Sequence, residues 1–290
     1  TYIGERAFES CNKLQRIEFL NDSKIQTIDE GAFSWSKIES FTITSELVDL
    51  KKGWCKNTTK LTKIRISPKN QRYCLYDDKI IIGKTRIEQN YYDCFVFCIR
   101  NVKLIKIPSF IEHICPYSFH YCNHLESIEF SNDSKIQTID EYAFSNSAIK
   151  NVTIPPSVTF IGKYAFESCN KLQRIEFPND SKIQTIEEGA FFLSIIESIA
   201  IPSELIDLKK DWCINVSKLI TIKVSSNNPR YCLFDDKMII GKTRIEQNYY
   251  DCLVFCIRNI KCIKIPSFIE HICSCSFDHC NQLESVDIPN

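Results

Sequence analysis

A period of 23 or 24 residues governs this chain. An opening of the form apolar-x-x-apolar-x-apolar recurs eleven times, at Leu14, Ile38, Leu61, Val102, Leu125, Ile149, Leu172, Ile196, Leu219, Ile260 and Leu283. The intervals are 24, 23, 41, 23, 24, 23, 24, 23, 41 and 23 residues. Leu172–Ser194 shows one full unit. Leu172, Ile175 and Phe177 form the opening, Ile183 and Ile186 follow a polar turn, and Ala190-Phe191 adds a small-large apolar pair. Alternating apolar residues mean a strand with one buried face. So short a unit cannot bury that face alone and needs a copy above and a copy below. The chain is therefore expected to wind as a solenoid, with its openings stacked into a parallel sheet along one side.

Five openings end in proline, at Pro108, Pro155, Pro202, Pro266 and Pro289. The missing N–H stops strand pairing and turns the chain. Then comes V-x-x-I-G or I-x-x-I-x, followed by A-F-x-x-C, as at Ala7–Cys11 and Ala165–Cys169. A turn of 23 residues leaves no room for a full helix, so short strands or 3₁₀ turns are expected on this side.

A second period of 158 residues overlies the first. Positions 1–132 align with 159–290 without a gap and with 95 identities. The halves 1–158 and 159–290 must share one fold, and continuous apolar rows make 1–290 a single duplicated repeat domain in this reading. Two units are long, 61–101 and 219–259, and each is expected to carry an extra turn or hairpin. Asp77-Asp78 and Asp235-Asp236 suit tight turns there. Ile81–Cys94 and Ile239–Cys252 are the longest unbroken match between the halves.

Charge is balanced at 36 basic and 36 acidic residues, which argues against a nucleic-acid or anionic-membrane surface. No apolar run approaches the length of a membrane span, so no insertion by this segment is expected. The chain starts inside a repeat at Thr1 and stops inside one at Asn290, as a piece of a longer protein would.

Sixteen cysteines suit an oxidising compartment if they pair. In the A-F-x-x-C slot, however, Cys122 and Cys169 stand two rungs apart, about 9.5 Å at the usual strand spacing, beyond the roughly 7 Å limit for a disulfide. Cys11, Cys122, Cys169 and Cys280 are expected as buried, unbridged thiols. Cys94 and Cys98 lie about 13 Å apart on one extended strand and cannot pair with each other. Each has Cys74 or Cys115 as an alternative partner, and Cys252 and Cys256 have Cys232 or Cys273. Cys262 takes an outward position and is the expected reactive thiol.

All five histidines, His113, His120, His124, His271 and His279, fall among cysteines in two equivalent rungs. These are zinc-ligand types, but His120, Tyr121 and His124 face Asp278, His279 and Gln282 in the other half. No CxxC pair is present, so no metal site and no cofactor are expected. No glycine-rich phosphate loop, HExxH or GxSxG occurs, and the chain is read as no enzyme. Candidate N-glycosylation sites are Asn21, Asn57, Asn132, Asn151, Asn179 and Asn215. Outward positions of the main sheet include Arg16, Lys63, Arg65, Lys106, Arg174, Lys223 and Lys264. With Tyr91, Tyr92, Tyr249 and Tyr250 of the long units they are the candidate partner-binding residues, since interface hot spots favour aromatic and arginine side chains.

The strings NVTIPPSV at 151–158 and VTFIGKYAFESCNKLQRIEFP at 158–178 resemble the BspA-like class of leucine-rich repeats, as in the BspA-like surface proteins of trichomonads. The resemblance covers essentially the whole chain. It implies an α/β repeat fold, mostly β: a right-handed leucine-rich-repeat solenoid. It also implies adhesion or recognition at a cell surface, with a protein or glycan on another cell or in the matrix as partner. The alternative is a cytoplasmic interaction scaffold of the same fold. The cysteine content and the two long units depart from the family pattern.

Overall fold

The structure, a computed structural model, describes residues 1–20 and 23–289. Two compact units emerge, Thr1–Ile149 and Lys150–Asn290. Both are wound from β-solenoid turns, about twelve in all, and no helix occurs among the described residues.

The openings become the main sheet. In the first unit Ser40–Ile43 pairs in parallel with Lys63–Ile66, and Leu104–Ile107 with Ser127–Phe130. In the second, Asn151–Thr153, Arg174–Glu176, Ser198–Ile201 and Thr221–Val224 form a four-stranded parallel sheet. Cys262–Lys264 pairs with Ser285–Asp287. Side chains alternate as a period of two demands: Phe41, Ile43, Ile105 and Ile107 are buried, while Lys63, Arg65 and Lys106 are exposed.

The second side is built of strands only two residues long. Tyr2–Ile3, Thr27–Ile28 and Asp49–Leu50 run parallel in the first unit, and Phe160–Ile161, Thr185–Ile186 and Asp207–Leu208 in the second.

The A-F segment makes a third side, and its backbone accounting is unusual. Arg6, Phe8 and Ser10 donate their N–H groups to Glu30, Ala32 and Ser34 of the next rung, at 2.7–3.1 Å. The intervening Ala7, Glu9 and Cys11 donate three residues back along their own rung. This alternation needs two left-handed residues per turn, four apart. They are Arg6 and Ser10, Gly31 and Trp35, Gly53 and Asn57, Tyr117 and Tyr121, and so on, with φ between 50° and 64°. For a residue with a Cβ the left-handed region costs about 1–2 kcal/mol. The bond to the next rung offsets that cost and lets both kinds of residue occupy the site.

Inside, the phenylalanines of that motif stack on one another and, in the first long unit, on Phe95 of the hairpin. Ring centroids lie 5.2 Å apart for Phe8 and Phe33, 4.4 Å for Phe95 and Phe119, 4.8 Å for Phe119 and Phe144, and 5.7 Å for Phe166 and Phe191. Trp54 and Trp212 join the row where the long units begin, edge-on to Phe33 and Phe191.

Each long unit adds an antiparallel hairpin. Tyr73–Tyr76 pairs with Ile80–Gly83, which pairs with Cys94–Cys98, which then runs parallel to His113–Ile114 and rejoins the second side. Asp77 and Asp78 make the turn, both left-handed at φ 50° and 51°, as mirror-image hairpin turns require. Asp235 and Asp236 repeat it.

Candidate binding site

The outward positions of the main sheets are open in each unit. Arg16, Lys63, Arg65, Lys106, Arg174, Lys223 and Lys264 are all exposed. Arg16 pairs with Glu18 at 3.0 Å and Arg174 with Glu176 at 2.6 Å, each two residues along, so these positions carry mixed charge. Leu104, 51% exposed, is the most apolar outward residue in the first unit.

The paired tyrosines of the long units divide. Tyr91 and Tyr249 are 59% and 58% exposed. Tyr92 and Tyr250 are half-buried beneath Lys84 and Lys242, each ammonium 5.6 Å from its ring centroid. The loop that presents Tyr91 is tied by Asp93, which is 3% exposed. Its carboxylate accepts the Thr85 N–H at 2.8 Å and the Thr85 hydroxyl at 2.5 Å. Asp251 and Thr243 repeat both bonds. Burial works against the charged form of Asp93, but the bonds from Thr85, Gln89 and Cys94 outweigh it and hold the pKa below the ordinary 3.8. A depressed carboxylate stabilises the fold above its unfolded pKa and loses that contribution as pH falls through the folded one. Amide protection of 84–93 and 242–251 is therefore expected to hold at pH 5 and fall below about pH 3.8, with Thr85→Val moving the loss to higher pH. Hydrogen exchange against pH checks this, and protection unchanged down to pH 2 would refute it.

Beneath the loop, Asn70 joins the hairpin to the preceding rung. Its amide nitrogen donates to Thr44 O at 2.6 Å and Leu47 O at 2.8 Å, and its oxygen accepts from Arg72 N at 2.9 Å and Tyr73 N at 2.7 Å. Asn228 makes the same four bonds.

Arg100 and Arg258 stand at the inner end of each long unit, 2% and 3% exposed. Each guanidinium covers a ring, Phe97 at 4.3 Å and Phe255 at 4.2 Å. Arg100 Nη1 donates to Cys122 Sγ at 3.3 Å, and Arg258 reaches Cys280 and Cys213, each at 3.9 Å. A second thiol abuts each site: Cys98 is hydrogen-bonded to Cys122 and Cys256 to Cys280. Burial raises the Cys122 pKa, but the Cys98 bond and Arg100 outweigh it and draw it below the ordinary thiol range. Rung spacing had compared Cys122 only with Cys169; the nearer sulfur comes from the hairpin. Cys94 meets Cys115 and Cys252 meets Cys273, whereas Cys74 points at the carbonyl of Leu75. No cysteine is bridged; Cys11 is half-buried, Cys169 buried and Cys262 exposed.

Three of the five histidines are engaged by a neighbouring side chain. His113 bonds Thr138 at 3.0 Å, His120 bonds Asn57 at 3.1 Å, and His279 bonds Asn215 at 2.8 Å. Burial, then Arg100, lowers the His120 pKa to about 3, so its ring is neutral. Asp251, Glu270 and His271 bring three ligand atoms within 4.8 Å of one another, but both oxygens of Asp251 already accept from Thr243. Of the sequons, Asn132, Asn151 and Asn179 are exposed, Asn57 and Asn215 are half-buried on their histidines, and Asn21 lies outside the described residues.

These features define a β-solenoid repeat protein with open outward faces and two inserted hairpins. The chain belongs to the BspA-type leucine-rich repeat family. The pattern described as "BspA type Leucine rich repeat region" matches in six copies, over residues 1–80, 85–220 and 237–290, and its two gaps fall in the long units. No curated protein matches in sequence. Among solved structures, the chain is similar to a leucine rich cell surface protein from Faecalibacterium prausnitzii, at TM-score 0.54 and 17% identity over 91% of this chain and 65% of that one. It is also similar to the pneumococcal vaccine antigen PcpA, at TM-score 0.57 and 17% identity over 100% and 66%. A leucine-rich repeat protein from Eubacterium ventriosum gives TM-score 0.57 and 18% identity over 77% and 70%. The chain thus spans just under two thirds of the first two. At such identities the likeness is one of fold. No helix among the described residues is long and apolar enough to cross a membrane.

Proposed function

We propose that this chain is a non-catalytic recognition segment, displayed at a cell surface and binding a protein or glycan on another cell or in the matrix. The observation that carries the reading is the set of outward positions itself. Seven basic side chains sit exposed on strands whose inner faces are fixed by the core, so the outer face is free to serve binding without disturbing the fold. Membership in the BspA-type repeat family and the fold shared with a leucine rich cell surface protein support it. Tyr91 and Tyr249 add one exposed aromatic to each hairpin, and two matching sites on one chain would raise avidity through effective concentration.

One observation favours the cytoplasmic scaffold instead: sixteen thiols stand unbridged, four pairs of them side by side. Reducing compartments keep such pairs open. Protease shaving of intact source cells, followed by antibody detection of this segment, separates the readings. Loss of the segment while a cytosolic marker survives is the expected result. Full protection until lysis would overturn the surface reading.

A further inference from the structure

The first unit holds a cavity of about 260 Å³ where its hairpin meets the rung before it. Its walls are the turn through Lys51–Lys56, the hairpin residues Arg72, Tyr73 and Lys84, and the segment Cys115–Tyr117, with Arg100 lining it too. Lys51, Lys52, Lys56, Arg72, Lys84 and Arg100 all line it, and no Asp or Glu does among the described residues. Two of these cations are compensated: Lys51 by Asp49 and Lys52 by Glu141, each at 2.7 Å. The other four form no ion pair among the described residues.

Three buried guanidinium nitrogens meet no oxygen acceptor: Nε and Nη2 of Arg100, which has the Cys55 thiol beside it, and Nε of Arg72. Leaving a buried charged donor unpartnered costs more than leaving a neutral one. The duplicated half is an internal control. There Arg230 Nε donates to Lys242 O at 3.2 Å and its Nη1 to Ile206 O at 2.9 Å. Arg258 Nε donates to Val216 O at 3.4 Å and its Nη2 to Cys213 at 3.9 Å. The lining has changed with it. Asp211 replaces Gly53, Ile214 replaces Lys56 and Cys275 replaces Tyr117. The second half therefore carries a carboxylate of its own where the first has none.

We propose that the first-half cavity binds a compact oxyanion, a carboxylate or sulfate on a single sugar-sized unit, gripped by Arg72, Arg100 and Lys84, and that the second half does not. Planar guanidinium forks match the geometry of carboxylate and sulfate. The volume lies just under the roughly 300–1,000 Å³ of drug-sized pockets. The proposal rests on the glycan arm of the surface reading and names its ligand class.

The test is calorimetric titration of the whole chain at low salt with inorganic sulfate, glucuronate and, as a neutral control, glucose. One saturable site per chain for glucuronate is expected, and no heat with glucose. Sulfate binding as tightly as glucuronate would mean the anion suffices; tighter glucuronate would mean the ring contributes; both support the site. Lys84→Ala should weaken binding at least tenfold. Gly53→Asp with Lys56→Ile and Tyr117→Ser should abolish it. That variant takes the first two residues from the second half and clears room for the new side chain, since a Cβ on Gly53 would meet Tyr117 at 3.2 Å. No saturable heat with either anion, two equal sites, or affinity unmoved by either variant would overturn the proposal. A negative titration would leave a positive shaving result standing, so the two failures are distinguishable.

Discussion

Asn70→Ala is expected to destabilise the first unit by about 2–5 kcal/mol, because four backbone groups lose their partner at once. Asn70 is 7% exposed, and its amide is fully used: two donors to the carbonyls of Thr44 and Leu47, and one oxygen shared by the N–H groups of Arg72 and Tyr73. No other side chain of this size offers two donors and an acceptor in that geometry. Asn70→Asp keeps the shape and the acceptor but puts a carboxylate against two carbonyl oxygens, so it should cost at least as much near neutral pH and recover in part as the carboxyl protonates. Urea unfolding measures both, and hydrogen exchange at Tyr73–Gly83 reports whether the hairpin opens first. Asn228→Ala should behave alike in the second unit. A loss below about 1 kcal/mol in both would show that water replaces the side chain and that the staple is not what fixes the hairpin.

Much of this architecture can be read from residue type and spacing, and what escapes has a physical reason. Period-two openings such as Ile38–Ile43 announce strands because burial decides them directly. The hairpins were legible in outline, since two aspartates between apolar runs mark a turn. The left-handed pairs were not. Gly31, Gly53 and Gly189 hint at them, but Tyr117, Tyr142 and Tyr164 hold the same place with positive φ, because the cost is offset by a bond to the next rung that no local pattern reveals. Asn70 reads as an ordinary loop asparagine until the rung before it is in place. No sequence pattern marks Arg100 and Arg258, yet both are buried, at 2% and 3% exposed. The thiol neighbours of Cys122 and Cys280 were missed for a related reason: equal slots were compared with equal slots, while the long units bring sulfur from a different one. Candidate cavity residues escaped because nothing in sequence sets Arg72 and Arg230 apart. What differs is their partners and the facing residues, Gly53, Lys56 and Tyr117 against Asp211, Ile214 and Cys275.

Phe119→Ala should be the costliest single truncation in the first unit, at about 3–5 kcal/mol. Phe119 is fully buried and sandwiched, with Phe95 at 4.4 Å on one side and Phe144 at 4.8 Å on the other. The substitution therefore breaks two aromatic contacts and leaves a hole between rungs. Its neighbours cannot close over that hole, because the backbone of each is held: Cys115 N–H donates to Phe95 O at 2.9 Å, and Ser147 N–H to Phe144 O at 3.0 Å. Phe8→Ala supplies the contrast. Phe8 is 38% exposed and stacks on Phe33 alone, so about 1 kcal/mol is expected there. Stability in a stacked array is close to a sum of rung and interface contributions. Weakening one interior interface should therefore also broaden the urea transition, where an end substitution only shifts it. Equal losses at the two positions, or an unbroadened transition for Phe119→Ala, would mean that the phenylalanine row fills space without coupling one rung to the next.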